Sequence, residues 1–431
     1  MEKHFKRLPS ELLEIIRLAA DIANTRGFRA YLVGGFVRDL ILGVKNLDVD
    51  IAVEGEAIPC AEALAERLNA HLLCHRRFGT ATVSVHGRAK IDLASTRKEF
   101  YPEPGSLPVV NSGTLRDDLA RRDFTINTLA ISVNPDDFGR LIDVFDARKD
   151  IAAQKVRILH PLSFIDDPTR ILRAVRFEQR YGFCLEPHTR ACLFEAVRLK
   201  MLQAVEPQRL RDEIILLLKE SEPGKVLRRL DSLAGLDFIH AGLCFDAGAA
   251  RLFRRAAAQV RWFTRSMHQH RRLDTWLIFF LCLLDQLGAH ASGEVCRRFV
   301  LRKGEEKRVK DFFRVREKAL CVLRRPGILP STVFDQLKPH SYEVIIMLAA
   351  KAQDSVAQRH IRAFLCRYNA TDITVCGHDL RSLGLAPGPH YQTILRAVLK
   401  AKLNGTVSTV EDELALAKRL HRRHDQRSSA T

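Results

Sequence analysis

Hydrophobic positions follow one rhythm in the first third of the chain and another in the rest. Tyr31-Leu32-Val33 is a short apolar run that reads as the end of a buried strand. After Gly43 the pattern alternates strictly. Leu47, Val49, Ile51 and Val53 take one face, and Asp48 and Asp50 take the other. Ala81 to Val85 and Lys90 to Ala94 predict two more strands, joined by a turn at His86-Gly87. Helical spacing frames these strands. Leu12, Ile15, Ala19 and Ile22 form an apolar stripe over Glu11 to Asn24, closed by Gly27, and Ala61 to Leu68 predicts a short helix.

From about Leu141 onward, strand patterns almost vanish. Helical periods predict elements over 169–180, 189–198, 209–219, 274–286, 341–351, 391–402 and 410–422. The fold expected is α+β: a small N-terminal head with a mixed β-sheet and helices, followed by an extended all-α remainder. Residues 96–115, TRKEFYPEPGSLPVVNSGTL, read as irregular, because three prolines and two glycines interrupt any period. A segment of that length in a compact domain is expected to be functional or disordered.

Composition narrows the partners. The chain has 431 residues, enough for two to four packed units, and 46% of them are apolar, as in a soluble globular protein. Its formal charge of +18 points to a polyanion, with nucleic acid ahead of an anionic membrane surface. The run LIFFLCLLDQL is too short to span a bilayer, and MEKHFKRLPSELLEII lacks the apolar core of a signal peptide. Ten cysteines without close pairing are expected to be core thiols in a reducing cytoplasm. Basic pairs recur in the helical part: Arg254-Arg255, Arg271-Arg272, Arg297-Arg298, Lys307-Arg308, Arg324-Arg325 and Arg422-Arg423. Any one of them reads as a solvated face. Together they predict contacts to an RNA phosphate backbone.

Three stretches carry candidate chemistry. In YLVGGFVRDLILGVKNLDVDIAV, Gly34-Gly35 breaks the strand where a ligand can approach the main chain, and Arg38 follows to meet an anion. Asp48 and Asp50 are same-face neighbours, about 7 Å apart along a strand. Two such carboxylates repel, so a cation is their natural third partner, and Mg²⁺ combines carboxylates with substrate phosphates. A plain strand with two exposed acids is the simpler alternative. In RRDFTINTLAI, a helix would place Asp123 and Asn127 on one face, where acceptor and donor can hold a ribose diol. A helix-surface charge pattern is the alternative there.

In IDDPTRILRAVRF, Pro168 marks a helix start with Asp167 as its cap, and Asp166, Arg170 and Arg173 lie close by. An amphipathic surface matched to the helix dipole explains those charges equally. The functional reading rests on base edges. Cytosine and adenine both present an amino donor beside a ring acceptor. One carboxylate and one guanidinium therefore fit both, while uracil and guanine would leave buried groups unpaired.

With GGFVRD placed just ahead of Asp48-Val49-Asp50, the sequence resembles the nucleotidyltransferase superfamily that includes DNA polymerase beta. More closely it resembles the class II tRNA nucleotidyltransferase and poly(A) polymerase family. The resemblance is detailed over residues 30–215 and returns in CGHDLRSLGLAPGPHYQTILRAVLKAKLNG. It implies a catalytic head over 1–140, a base-reading neck over 141–220, an RNA-binding body over 221–325 and a tRNA-binding tail over 326–431.

The resemblance also implies residue roles. Asp48 and Asp50 would hold two Mg²⁺ ions, with Asp92 as a further catalytic acid and third ligand. Gly34, Gly35 and Arg38 would hold the triphosphate, and Arg122, Asp123 and Asn127 the sugar. Asp167 and Arg170 would read the base, supported by Asp166 and Arg173. The family's usual Glu-Asp-x-x-Arg stands here as Asp166-Asp167-Pro168-Thr169-Arg170. Residues 96–115 match a mobile loop that helps switch nucleotide specificity. At the hinge after the head, relatives often carry glycines where Asp146-Ala147 stand.

The activity implied is template-independent extension of the tRNA 3′ CCA end from CTP and/or ATP. EFYPEPGSLPVV and the C-terminal motif lean towards the A-adding members. Bacterial poly(A) polymerase is the nearest alternative, although HRRFGTATV at 75–83 is closer to tRNA-end enzymes. A non-catalytic RNA-binding protein is the alternative from another class.

Overall fold

The computed structural model describes residues 5, 8–85, 89–267, 273–382, 388 and 390–428, without the side chains of 423–428. The expected turn at His86-Gly87, the pair Arg271-Arg272, the side chain of Arg423 and part of the GLAPGP segment lie outside the described residues.

Two compact units divide the chain. One comprises residues 1–220 with 229–238, and the other comprises 221–228 with 239–431. The first opens with α1 (Ser10–Asn24), whose stripe Leu12, Ile15, Ala19 and Ile22 is buried. Strand β1 (Arg29–Val33) runs straight into α2 (Gly34–Leu42), then come β2 (Asp48–Glu54) and α3 (Ala57–Leu68). Strands β3 (His71–His75), β4 (Thr80–Val85) and β5 (Ala89–Ser95) follow. A hairpin of β6 (Arg97–Phe100) and β7 (Val109–Ser112) leads to α4 (Leu115–Ala120), β8 (Leu129–Ser132) and β9 (Leu141–Asp143). Seven strands form one mixed sheet in the order β3-β4-β5-β2-β1-β8-β9. The β2–β5 pair is parallel and sets Asp50 opposite Asp92.

Several expectations change here. Residues 96–115 are not wholly irregular: Arg97 pairs with Ser112 and Phe100 with Val109. All three prolines fall between the two strands, where no ladder hydrogen bond is lost. Asp123 to Asn127 is not an α-helix. Thr125–Asn127 makes a single 3₁₀ turn, and the chain then enters β8 beside β1. Phe124, Ile126 and Leu129 are buried, as a helical stripe would also have them, so the pattern fitted either geometry. Leu47 precedes the strand and is exposed, whereas Val49, Ile51 and Val53 are in the core.

Helices α5 (Ala147–Ala152), α6 (Ser163–Asp166), α7 (Thr169–Tyr181), α8 (Pro187–Arg198) and α9 (Pro207–Leu218) complete most of the first unit. A short parallel ladder of β10 (Lys155–Val156) with β11 (Cys184–Leu185) interrupts what the sequence predicts as all-α. The chain passes from one unit to the other within α10 (Pro223–Ala234).

The described part of the second unit is helical: α11 (Ala247–Ser266), α12 (Thr275–Leu284), α13 (Ala289–Arg298), α14 (Lys303–Leu323), α15 (Pro330–Leu337) and α16 (Tyr342–Lys351). It continues with α17 (Ser355–Cys366), α18 (Gly377–Ser382), α19 (His390–Leu403) and α20 (Val410–Ser428). Trp276 to Leu284, the apolar run of α12, is buried throughout and packs on α11 and α16. Among the described residues no helix is long and apolar enough to cross a membrane. Near the C-terminus, Val375, Leu380, Ile394, Val398 and Ala417 form a separate small core. All ten cysteines are free, but only Cys60, Cys282 and Cys296 are buried, so three of the ten fit the expectation of core thiols.

Gly34 carries the first testable consequence. Its φ of +68° lies in the left-handed region, and a Cβ there would sit 2.4 Å from Arg122 Nη1. Gly34→Ala is expected to cost about 1–2 kcal/mol from backbone strain alone. Denaturant unfolding at neutral pH checks this.

Candidate active site

A cavity of about 740 Å³ opens in the first unit. Its lining brings together ten of the thirteen residues singled out in the sequence: Gly35, Arg38, Asp50, Asp92, Arg122, Asp123, Asn127, Asp167, Arg170 and Arg173. Gly34, Asp48 and Asp166 are not part of that lining.

The sheet supplies the carboxylates. Val49, Ile51 and Val53 anchor β2 from beneath, which turns Asp48 and Asp50 to the opposite face. Asp48 is exposed at the start of the strand, and its N–H donates to Asn46 Oδ1 at 2.9 Å. Burial raises the Asp50 carboxyl to about 6; Arg122 opposes that rise, while Asp92 and Asp48 add to it. Asp92 accepts from Thr82 Oγ1 and Lys90 Nζ, both at 2.5 Å. That arrangement turns its carboxylate towards protein donors. Among the described residues no three His, Cys, Asp or Glu side chains gather closely enough to hold a metal ion by themselves. Two hard carboxylates, one of them raised chiefly by burial, fit a divalent cation whose remaining ligands come from phosphate and water.

The residues expected to meet a triphosphate lie beside these carboxylates. Helix α2 starts at Gly34 with no side chain capping it, so its first N–H groups remain available to an anion. Arg38 differs from its expected role. It is buried, donates to Asp39 Oδ1 at 2.8 and 2.9 Å and also bonds Asn127, and it lies over Phe177 and Tyr181. Its guanidinium therefore ties α2 to α7 while lining the cavity. Arg122 and Arg176 each have a buried Nε without a partner. Both residues line the cavity, and such orphaned donors in a polar cleft suit an anionic ligand.

Asp123 and Asn127 meet although their segment is not a helix: Asn127 Nδ2 donates to Asp123 Oδ1 at 2.7 Å. Asp123 Oδ2 accepts from Arg173 Nε at 2.8 Å and from its Nη2 at 2.6 Å. Burial alone would raise the Asp123 carboxyl, but Arg173 and Asn127 bring it down to about 2.

Helix α7 begins after Pro168, as its sequence predicts. Asp167 Oδ1 accepts from Thr169 N at 3.1 Å and from Thr169 Oγ1 at 2.6 Å. The same oxygen accepts from Arg209 Nη2 at 2.8 Å. Arg170 is buried; it donates to Ser163 Oγ at 2.6 Å and to the Arg121 carbonyl at 3.0 Å. Asp167 and Arg170 are thus fixed before any ligand arrives. Asp166 faces His160 instead, at 3.7 Å.

Sequence reasoning missed Arg209. Its Nη1 donates to the Gly105 carbonyl at 3.0 Å, so one side chain holds both Asp167 and the 101–108 segment. Tyr101 was also missed. Its ring lies 5.9 Å from the Arg170 guanidinium carbon, and burial pushes its phenol up to about 12. Residues 206–214, EPQRLRDEI, resemble a neck helix that supports the nucleotide pocket and held the signal for Arg209; nothing in the sequence connects Tyr101 to Arg170.

Residues 30–157 match the Poly A polymerase head domain. The A-adding tRNA nucleotidyltransferase of Geobacter sulfurreducens is 36% identical over 420 residues, covering 96% of this chain and 48% of that protein. The chain therefore spans about half the length of that relative. The A-adding tRNA nucleotidyltransferase of Halalkalibacterium halodurans is 30% identical over 421 residues, covering 95% of this chain and 93% of that protein. The solved structure of the Thermotoga maritima CCA-adding enzyme complexed with tRNA-CCA gives a TM-score of 0.72 at 30% identity, covering 96% of each chain. With the carboxylate pair on β2, the arginine-lined cleft and the Asp167/Arg170 pair already in place, these likenesses set the assignment: the chain belongs to the class II tRNA nucleotidyltransferase and poly(A) polymerase family.

Proposed function

We propose that this protein is a template-independent nucleotidyltransferase that adds AMP, and in a broader reading CMP, to the 3′ end of tRNA. One observation carries the reading: a single cavity brings together Asp50, whose carboxyl burial raises to about 6, unpartnered arginine donors and an immobilised Asp167/Arg170 pair. The lean to AMP follows the two A-adding relatives. Enzymes of this family work with divalent metal ions. Here Asp48 and Asp50 would hold them, and two Mg²⁺ ions are the form proposed. Bound there, they would activate a 3′-hydroxyl and neutralise the departing pyrophosphate.

The remaining roles belong to the chain itself. The α2 N-terminus and Arg122 would bind phosphate oxygens. Asp123 and Asn127 would hold the ribose. Asp167 can only accept and Arg170 only donate, which matches the edge shared by cytosine and adenine. We further propose a catalytic head closing with β9, a neck to about residue 220, and a body and tail that hold RNA through their basic surface. A cytoplasmic location fits a tRNA substrate. Incubation with tRNA transcripts ending before CCA, after C or after CC, one nucleotide at a time, tests the whole reading. Equal extension of an unrelated RNA 3′ end by ATP would favour poly(A) synthesis instead.

Asp50→Asn should abolish incorporation while tRNA binding persists. It should also stabilise the metal-free protein. The folded state holds the Asp50 proton more tightly than the unfolded state, about 6 against 3.8, so its contribution is favourable at low pH and lost as pH rises through that interval. At pH 8 with EDTA, the variant should gain about 1–3 kcal/mol in urea unfolding. Wild-type turnover in saturating magnesium would remove Asp50 from the mechanism.

Asp167→Asn presents a donor as well as an acceptor. Selection among the four triphosphates should relax, with incorporation of the preferred base falling about 10- to 100-fold. Single-nucleotide incorporation measures both. Unchanged selectivity would mean another element reads the base.

Affinity for tRNA should fall steeply between 50 and 200 mM salt, roughly 10³-fold or more if six phosphates are contacted. A flat response in filter binding would exclude the basic helices from the RNA interface.

A further inference from the structure

The second unit contains a cavity of its own, about 480 Å³, between α11, the end of α12 and the end of α16. Arg251 and Arg255 line it from consecutive turns of α11, four residues apart and so on one face. Neither guanidinium has an ion-pair or hydrogen-bond partner among the described residues, and the Arg255 Nε is fully buried. A buried donor left unpaired is costly, so this is an arrangement that a ligand would relieve.

The acids at the cavity are already engaged. Asp285 accepts from Lys351 Nζ at 2.9 Å through both oxygens and from Arg316 at 3.0 Å. Asp246 caps α11 by accepting from Ala249 N at 2.7 Å. With those carboxylates occupied, the two arginines leave the cavity with uncompensated positive charge. Gln353 and Gln286 add neutral polar groups. Two guanidiniums with free donors suit an oxyanion, and a phosphate carries oxygens enough for both forks at once.

We propose that this cavity is a phosphate-binding site in which Arg251 and Arg255 clamp one phosphate group. The phosphate can come from an RNA backbone or from a free ion such as phosphate or pyrophosphate. Only the backbone source rests on the RNA-binding reading given above; the site itself does not.

The test uses the full chain as wild type, Arg255→Gln, Arg251→Gln and the double variant, each checked for folding by circular dichroism. Inorganic phosphate and pyrophosphate, titrated without divalent metal, should raise the melting temperature of the wild type in a saturable way. Arg255→Gln should weaken that response at least 10-fold, and the exposed Arg251→Gln should weaken it less. In parallel, the affinity for a tRNA transcript is measured across salt. A backbone site predicts at least a 5-fold loss in Arg255→Gln and a salt slope shallower by roughly one unit, the share of one phosphate contact. Loss in the phosphate titration with tRNA binding unchanged assigns the site to a free anion. If both folded single variants match the wild type in both titrations, the proposal is wrong. A wild type that binds no tRNA would defeat the RNA reading, while the phosphate titration would still decide the site.

Discussion

The active-site cavity depends on a buried chain of charges. Asp123 holds Arg173, Arg173 reaches Glu213 at 3.2 Å, and Glu213 also accepts from Arg176 at 3.4 Å. These residues come from the turn before β8, from α7 and from α9, so the chain of charges fixes three elements around one cleft. Removing a single member would leave a buried charge unpaired, which costs far more than the net worth of the intact pair. The comparison of Asp123 with Asp50 is instructive. Burial pushes both carboxyls up, yet Asp123 ends near 2 and Asp50 near 6. Arg173 makes the difference. Asp123 is satisfied by the protein, whereas at Asp50 burial outweighs the pull of Arg122 and the neighbours Asp92 and Asp48 are acidic, a setting that suits a cation.

Much of this site was legible because its chemistry sits in short local motifs. Alternation placed Asp48 and Asp50 on one face of β2, and Pro168 with Asp167 marked the start of α7. What was not legible arises from contacts distant in sequence. Arg38 reads as a ligand-facing cation, but its neighbour Asp39 holds it, and the rings of Phe177 and Tyr181 meet it from another helix. The 3₁₀ turn at Thr125–Asn127 is chosen by the need to pair β8 with β1, and no local propensity announces that. The hairpin of β6 and β7 was hidden by three prolines that lie in the connection between its strands.

The basic pairs of the second unit show a different limit. A run of cations counts as available charge only after its internal partners are subtracted. Arg308 is held by Asp274 and Glu343, Arg324 by Asp354, and Arg298 donates to the Ile239 carbonyl. Arg251, which belongs to no run, has no partner among the described residues. Helical spacing, not adjacency, pairs it with Arg255.

The proposed base selection shows the same dependence on second groups. Asp167 and Arg170 look like an independent two-residue code, but neither stands alone. Asp167 is oriented by Arg209 and Thr169, and Arg170 by Ser163 and a backbone carbonyl. Exchanging the two polarities would set a guanidinium against Arg209 and a carboxylate against the Arg121 carbonyl. Both contacts would be repulsive in a buried setting. The polarity that Asp167 and Arg170 would present to a base is therefore written into five side chains and one main-chain group. Arg209 also bonds the Gly105 carbonyl, so the position of the 101–108 segment and the orientation of Asp167 are set by the same guanidinium.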